Sequence, residues 1–466
     1  RLNELTQTAQ PPFIAAMAEA GDFLLAKTPS AFAGLVVTKE NDIPNGFAAL
    51  VRELERAKKF GFTASEYARA KADYLRYLES AYNERSKTRN AQYVNEYVRH
   101  FIDNEPIPGI ETEYALMNQI APNIPLEAIN TVLPQIITDE NIVINVFGPD
   151  KEGVTYPTEE EILNVLKSVK AEELTAYVDK VSDEPLMKEA PKAGKIVKEE
   201  NGPFGSTVWT LSNGVRVVIK PTDFKADQIL MRAFSPGGTS LFGTKDALQL
   251  KMLNNVAGVG GLGNFSNVDL EKVLAGKKAS INASVNGLTE GLSGSCSPKD
   301  METMLQLTYL SFTAPRMDLD AFESFKNRTK AELANQEANP MTALSDSLQH
   351  ALYGNHPLAI RVKADMVDLI DYNRIMEMYK NRFMDAGDFT FLFVGNINPD
   401  EAKPMIETYL GGLPTIQRKE NFVDIKMDFR KGEYKNVFNK QMETPMATVV
   451  VVASGICNYD MKNDLL

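Results

Sequence analysis

Residues 388–414 read DFTFLFVGNINPDEAKPMIETYLGGLP. The apolar run at 389–394 predicts a strand closed by Gly395, and the acidic residues that follow predict a helix start. Gly411, Gly412 and Pro414 mark where the unit ends. The same order occurs earlier as NIVINVFGPD at 141–150, again a strand ending in glycine before an acidic helix start. Similarity at a fixed offset signals duplication, so the flanking segments decide whether the match is chance.

They continue it. His100 lies in YVRHFIDNEPIPG (97–109) and His350 in SLQHALYGNHPLA (347–359), each a helix end, an apolar pair and a polar turn closed by proline. Upstream, TASEYARAKADYLRYLES (63–80) and DLDAFESFKNRTKAELAN (318–335) predict long amphipathic helices entered through a Thr or Asp cap. The second copy defines a whole unit. Strands are predicted across 207–219, turning at Ser212-Asn213-Gly214, and at 228–234. Helices follow at 245–257 and at 266–275, the latter capped by Ser266 and stopped by Gly276. Alternation at 278–286 and 288–295 predicts a hairpin about Asn286-Gly287, and Ser297-Pro298 opens another helix.

The fold class is therefore α+β, in tandem duplicated units of sheet covered by helices. Against the second copy, the first lacks its opening strands. The predicted boundaries are 1–182 for the incomplete unit, 183–205 for an exposed linker, 206–416 for the complete unit and 417–466 for the start of a further one. The ATVVVVA stretch at 447–453 predicts a strand that either pairs with another element or is proteolytically labile.

The 466 residues carry 50 Lys plus Arg against 62 Asp plus Glu, a net charge of −12, which disfavours a nucleic-acid binder. No apolar run approaches the roughly 18 residues a membrane helix needs. Cys296 and Cys457 are too few for a disulfide framework. Histidine numbers only three, and His100, His350 and His356 contain no pair at metal-binding spacing, so structural roles are expected for all three. Gly258, Gly260 and Gly263 spell G-x-G-x-x-G, but they follow a segment of helical period, which predicts a helix stop and turn instead of a dinucleotide loop. With Gly261 they remain candidates for a turn that approaches a substrate backbone. Glu159, Glu160 and Glu161 read as a solvated helix start. Tyrosines are dense at 67, 74, 77, 82, 93 and 97, and Tyr67 and Tyr74, spaced by seven with Ala70, Leu75 and Leu78 beside them, are expected to form a core stripe.

In the order SPGGT (235–239), GTKDALQL (243–250), VGGLGNFSNVDLEKVLAGK (259–277), PRMDLDAF (315–322) and the 389–414 segment, the chain resembles the insulinase and pitrilysin type of zinc peptidases, the inverzincins, and within them the bacterial PqqL-like branch. The resemblance implies four tandem domains of the LuxS/MPP-like metallopeptidase fold. The segment would hold the second domain, the third and the edge of the fourth, with the zinc-bearing first domain outside it. That domain carries H-x-x-E-H on a helix and a distal Glu, and the zinc activates a water. At the matching helix this sequence has Asp246 and Leu250 at the histidine positions and Gln249 at the base, with Glu332 as the candidate distal ligand. Leucine cannot bind zinc, and glutamine cannot accept the proton, so the motif is degenerate and no metal or cofactor is expected in this segment.

The resemblance thus implies the non-catalytic centre of a zinc endopeptidase acting on peptides or unfolded polypeptides in an enclosed chamber, with the missing domains of its own chain as partners. It also implies a periplasmic or cell-envelope location. The alternative is a catalytically inactive binding or scaffold protein of the same fold, as in core subunits of the family.

Overall fold

The computed structural model describes residues 1–23, 26–150, 152–180, 182, 184–442, 444, 446–455 and 460. Cys457 lies outside them. The first part of the chain runs through α1 (Leu2–Leu5), β1 (Ala15–Phe23), β2 (Ala26–Val37), α2 (Ile43–Phe60), α3 (Ala64–Asn83), α4 (Asn90–Asp103), α5 (Ile110–Ile120), α6 (Leu126–Ile136) and α7 (Glu159–Lys170). The second runs through β3 (Ile196–Asn201), β4 (Thr207–Leu211), β5 (Arg216–Pro221), β6 (Ile229–Pro236), α8 (Ala247–Val256), α9 (Asn267–Val273), β7 (Ala279–Val285), β8 (Thr289–Cys296), α10 (Met301–Thr313), α11 (Leu319–Ala338), α12 (Pro340–Tyr353), α13 (Tyr372–Phe383), β9 (Thr390–Gly395) and α14 (Pro399–Tyr409).

In the second part, seven strands form one sheet in the order β3-β4-β5-β9-β6-β8-β7. Neighbours are antiparallel except β5 and β9, whose parallel pairing requires the long crossover that the intervening helices supply. Strand alternation puts Val217, Ile219, Met231, Ala233, Phe391 and Phe393 on the buried face. These pack with Leu253, Met304, Leu305, Ile375, Phe383 and Ile406 of the helices in one core. Phe312 sits edge-on to Phe383 and Phe389, with ring centroids 5.2 and 5.0 Å apart. Such aromatic pairs add about 1 kcal/mol each beyond area burial.

The caps expected from sequence at Thr63, Ser266, Ser297 and Asp318 are in place, and Thr158 adds another. The side chains of Thr63, Thr158, Ser266, Ser297 and Asp318 each accept a backbone N–H at a helix entry. The 411–414 segment closes the unit because Asn213 Nδ2 donates to Leu410 O at 2.9 Å and Leu413 O at 3.1 Å.

Three expectations are corrected. The stretch read as a linker is in part structure: Ile196–Asn201 is the edge strand β3, and Gly194 donates to Glu407 O at 2.8 Å. A Cβ at Gly194 would stand 2.5 Å from Gly411 O, so glycine permits this close backbone crossing. The charged residues of 198–200 misled because an edge strand facing solvent tolerates them. Tyr67 and Tyr74 do not form a core stripe: Tyr67 is half-buried and Tyr74 is 42% exposed. The third correction concerns 141–150 and 447–453, neither of which forms a strand.

The repeat explains that last failure. After α9 the second part proceeds as hairpin, helix, helix, helix, helix, strand, helix; the first part proceeds from α1 through a hairpin and helices to α7. In this alignment β1 and β2 stand where β7 and β8 do, and 142–147 stands where β9 does. β9 lies between β5 and β6, and the first part contains no equivalents of them among the described residues. A strand without neighbours has no ladder to join, so Val143 and Phe147 are left 75% and 88% exposed. The 447–453 stretch is bare in the same way, with Val449 and Val451 86% and 89% exposed.

The two parts are fastened reciprocally. Asp73 of α3 accepts the Gly276 N–H at 2.6 Å just after α9, and Ser324 of α11 donates to Thr6 O just after α1. Arg76, buried on α3, pairs with buried Asp227 at 2.9 Å, and Lys278 reaches Asp227 at 3.1 Å and Ser80 at 2.8 Å. Burial alone would raise the Asp227 pKa, but the Ser80 hydroxyl with the Lys278 and Arg76 charges holds it below the usual carboxylate range. Asp179 pairs with Lys272 at 2.9 Å and Arg69 at 2.7 Å across a second seam.

Candidate functional site

Asp246, Gln249 and Leu250 sit where a short turn, Thr244–Asp246, feeds α8. Asp246 is the residue before the helix, with φ −91° and ψ 14°, so the first motif position lies outside the helical frame that would align it with position 250. Its carboxylate takes a two-pronged contact from Arg374 of α13, with Nη2 to Oδ2 at 2.8 Å and Nε to Oδ1 at 3.2 Å. The Arg374 hydrogen bonds hold the Asp246 carboxyl below its ordinary range, and the same contact favours the charged guanidinium.

Gln249 is bound to the same end of α13. Its Nε2 donates to Leu369 O at 3.2 Å, and its Oε1 accepts the Asp371 N–H at 3.0 Å. Leu250 packs against the hydrophobic core. Glu332 lies exposed on α11, and no contact joins it to the other three among the described residues. The structure therefore brings Asp246 and Gln249 together on the α13 N-terminus and leaves Glu332 apart.

This donor set does not fit zinc. One position is apolar, one is a neutral amide already satisfied by backbone, and the remaining carboxylate is neutralised by arginine. No group of three or more His, Cys, Asp or Glu side chains among the described residues could hold a metal ion. Sequence reasoning missed Arg374, because a cation opposite Asp246 leaves no local signal 128 residues away.

The glycine turn is used internally. A Cβ at Gly260 would fall 2.2 Å from Arg316 O, and Gly261 has φ +90° with Arg316 N–H donating to its carbonyl at 3.2 Å. Gly263 N–H donates to Ala314 O at 2.8 Å, while a Cβ at Gly258 would meet nothing within 4 Å. Gly260, Gly261 and Gly263 thus pack closely on the chain's own 314–318 segment, as a helix stop and turn does.

Two of the three histidines hold local turns. His100 Nδ1 contacts Glu105 O at 2.7 Å, and His356 Nδ1 accepts the Leu358 N–H at 3.2 Å. Glu290 is the unexpected buried acid. It is 1% exposed, accepts the Gly238 N–H at 2.6 Å, and lies 3.7 Å from Arg382. Burial pushes its carboxyl up to about 7.

Residues 370–464 match the family model described as the peptidase M16 inactive domain. A zinc protease PQQL-like protein of Arabidopsis thaliana is 28% identical over 362 residues, 77% of this chain and 35% of the relative. A probable zinc protease PqqL of Escherichia coli strain K12 is 21% identical over 390 residues, 81% of this chain and 41% of the relative. The crystal structure of the E. coli protein, described as a periplasmic protease, aligns with 19% identity and TM-score 0.47 over 92% of this chain and 46% of that one. A mutant of the ferredoxin protease FusC, solved in complex with Arabidopsis ferredoxin, shares the fold: TM-score 0.53, 15% identity, 92% of this chain and 48% of that one. The chain spans about two-fifths or less of the length of the curated relatives it matches.

Proposed function

We propose that this chain, homologous to the PqqL zinc proteases and matching the M16 inactive domain at its C-terminal end, is the non-catalytic part of a longer zinc-dependent endopeptidase. The observation that carries the reading is the bonding of Asp246 and Gln249 to α13. The positions that would serve a metal and a base in an active domain here pin one helix to another. Zinc and the water it activates belong, on this reading, to a domain of the parent chain outside this one. Residues 1–182, 206–416 and 417–466 then correspond to the second, third and beginning fourth domains of such a peptidase.

The role left to this segment is to wall the space in which an extended polypeptide is held. A periplasmic or envelope location is part of the same proposal, the E. coli protein being described as periplasmic. The test compares this chain with the longer parent chain on a quenched-fluorescence peptide in the presence of zinc. Cleavage by the parent alone, abolished by a chelator, is the expected result. A parent chain without H-x-x-E-H and without cleavage would instead favour a binding or scaffold protein of the same fold.

A further inference from the structure

The face of the seven-stranded sheet turned away from the helices carries an ordered set of cations. Alternation along β5 puts Arg216, Val218 and Lys220 on this face, and alternation along β6 does the same for Leu230, Arg232 and Phe234. β9 lies between them in register, pairing Thr390 with Arg216 and Phe234, Leu392 with Val218 and Arg232, and Val394 with Lys220 and Leu230. The result is a grid of three rows. Each row holds one cation, and apolar side chains fill most other places. Leu230 and Phe234 are each 48% exposed.

No ion pair or side-chain hydrogen bond engages Arg216, Lys220 or Arg232 among the described residues. The carboxylate that the strands place on this face, Glu200 of β3, is already paired with Lys198 at 2.9 Å. A chain of net charge −12 thus gathers three uncompensated cations on one half-apolar surface. Burying arginine and lysine against a neutral partner would cost their hydration, so the complementary occupant is anionic.

We propose that this open sheet face binds an acidic polypeptide segment in extended conformation, with carboxylates at every fourth residue and apolar side chains between them. The spacing follows from the sheet. Arg216 and Lys220 are four residues apart on one strand, roughly 13 Å at the strand rise, with Val218 midway. An extended segment running along β5 repeats the same interval, so glutamates at i and i+4 meet the two cations, and the residue at i+2 covers Val218 and Leu392. Arg232, two strands away, takes a carboxylate from the segment's flank. The inference deepens the enclosing role above, and rests on it for the claim that such a segment is substrate.

Fluorescence anisotropy tests it with this chain and a labelled, end-blocked peptide of about 12 residues carrying glutamate at every fourth position and valine or serine elsewhere, the length of two ordinary strands. The peptide is expected to bind, to weaken as salt rises, and to bind better than its counterpart with lysine in place of glutamate. Combining Arg216→Gln, Lys220→Gln and Arg232→Gln is expected to raise Kd about tenfold, since exposed charge pairs contribute modestly each. Lys403→Gln, at an exposed position of α14, removes one positive charge away from this face and is expected to leave Kd unchanged. Equal binding of both peptides, or an unchanged Kd in the triple variant with native circular dichroism, would overturn the inference. So would failure of the longer parent chain to bind the peptide, which would make another part of that chain the occupant. Binding needs no metal, so absence of zinc-dependent cleavage by the parent refutes the peptidase reading and leaves this surface standing.

Discussion

Replacing Arg76 by alanine is expected to uncouple the two halves of the chain. Arg76 projects from α3 of the first part, and its partners Asp227 and Asp300, at 2.9 and 3.5 Å, belong to the second. All three are buried. Breaking a buried pair from one side costs about 3–5 kcal/mol, because the remaining charge stays out of water. Asp227 keeps Lys278 at 3.1 Å, which places the expected loss near 2–3 kcal/mol, at or just below that range. Trp209, the only tryptophan, is 3% exposed in the second part and reports on that core alone, whereas far-UV circular dichroism sums the helices of both parts. In urea, the variant should therefore lose part of its helical signal before Trp209 fluorescence changes, where the unsubstituted chain shows nearer coincidence. The wild-type seam should loosen in acid as well. Asp227 has a lowered pKa, so its contribution is present above the ordinary carboxylate range and is lost as pH falls through the lowered value. Coincident transitions in Arg76→Ala, with less than about 1 kcal/mol lost, would refute this account of the seam.

Glu290→Gln tests the buried acid. With its pKa raised to about 7, Glu290 weakens the fold as pH rises from its unfolded value through 7, so the variant should be more stable than the unsubstituted chain at pH 8, by an amount on the order of 2 kcal/mol, and nearly equal to it at pH 5. Equal stabilities at both pH values would contradict the assignment. Gln249→Ala removes two hydrogen bonds to the α13 entry and should cost about 1 kcal/mol by urea denaturation, with no effect on metal content. In limited proteolysis, the first cuts are expected within 415–455 and at 141–149, before any within 207–395; early cleavage of the seven-stranded sheet would count against the fold.

The second unit was legible in the sequence because its elements satisfy one another locally. Ser266 and Ser297 cap their helices, Asn286-Gly287 turns a hairpin, and the 389–394 run fills the centre of a sheet whose neighbours are present. The same kind of pattern at 141–150 and 447–453 gave no strand, since a strand is completed by partners and a sequence window does not contain them. β3 was hidden for the converse reason: its residues are polar, and pairing with β4 alone makes it a strand. At the candidate site, the residue types at 246, 249 and 250 were enough to argue against zinc. What they do instead depended on Arg374, Leu369 and Asp371, which only the packing of α13 on α8 brings near.

The metal content of this chain decides whether α8 carries a zinc site. After exposure to zinc and exhaustive dialysis, elemental analysis should find far less than stoichiometric metal, and the protein should show no chelator-sensitive peptide cleavage. One tightly held zinc per chain, lost on substitution of Asp246 or Gln249, would mean that the α8 motif is a metal centre after all.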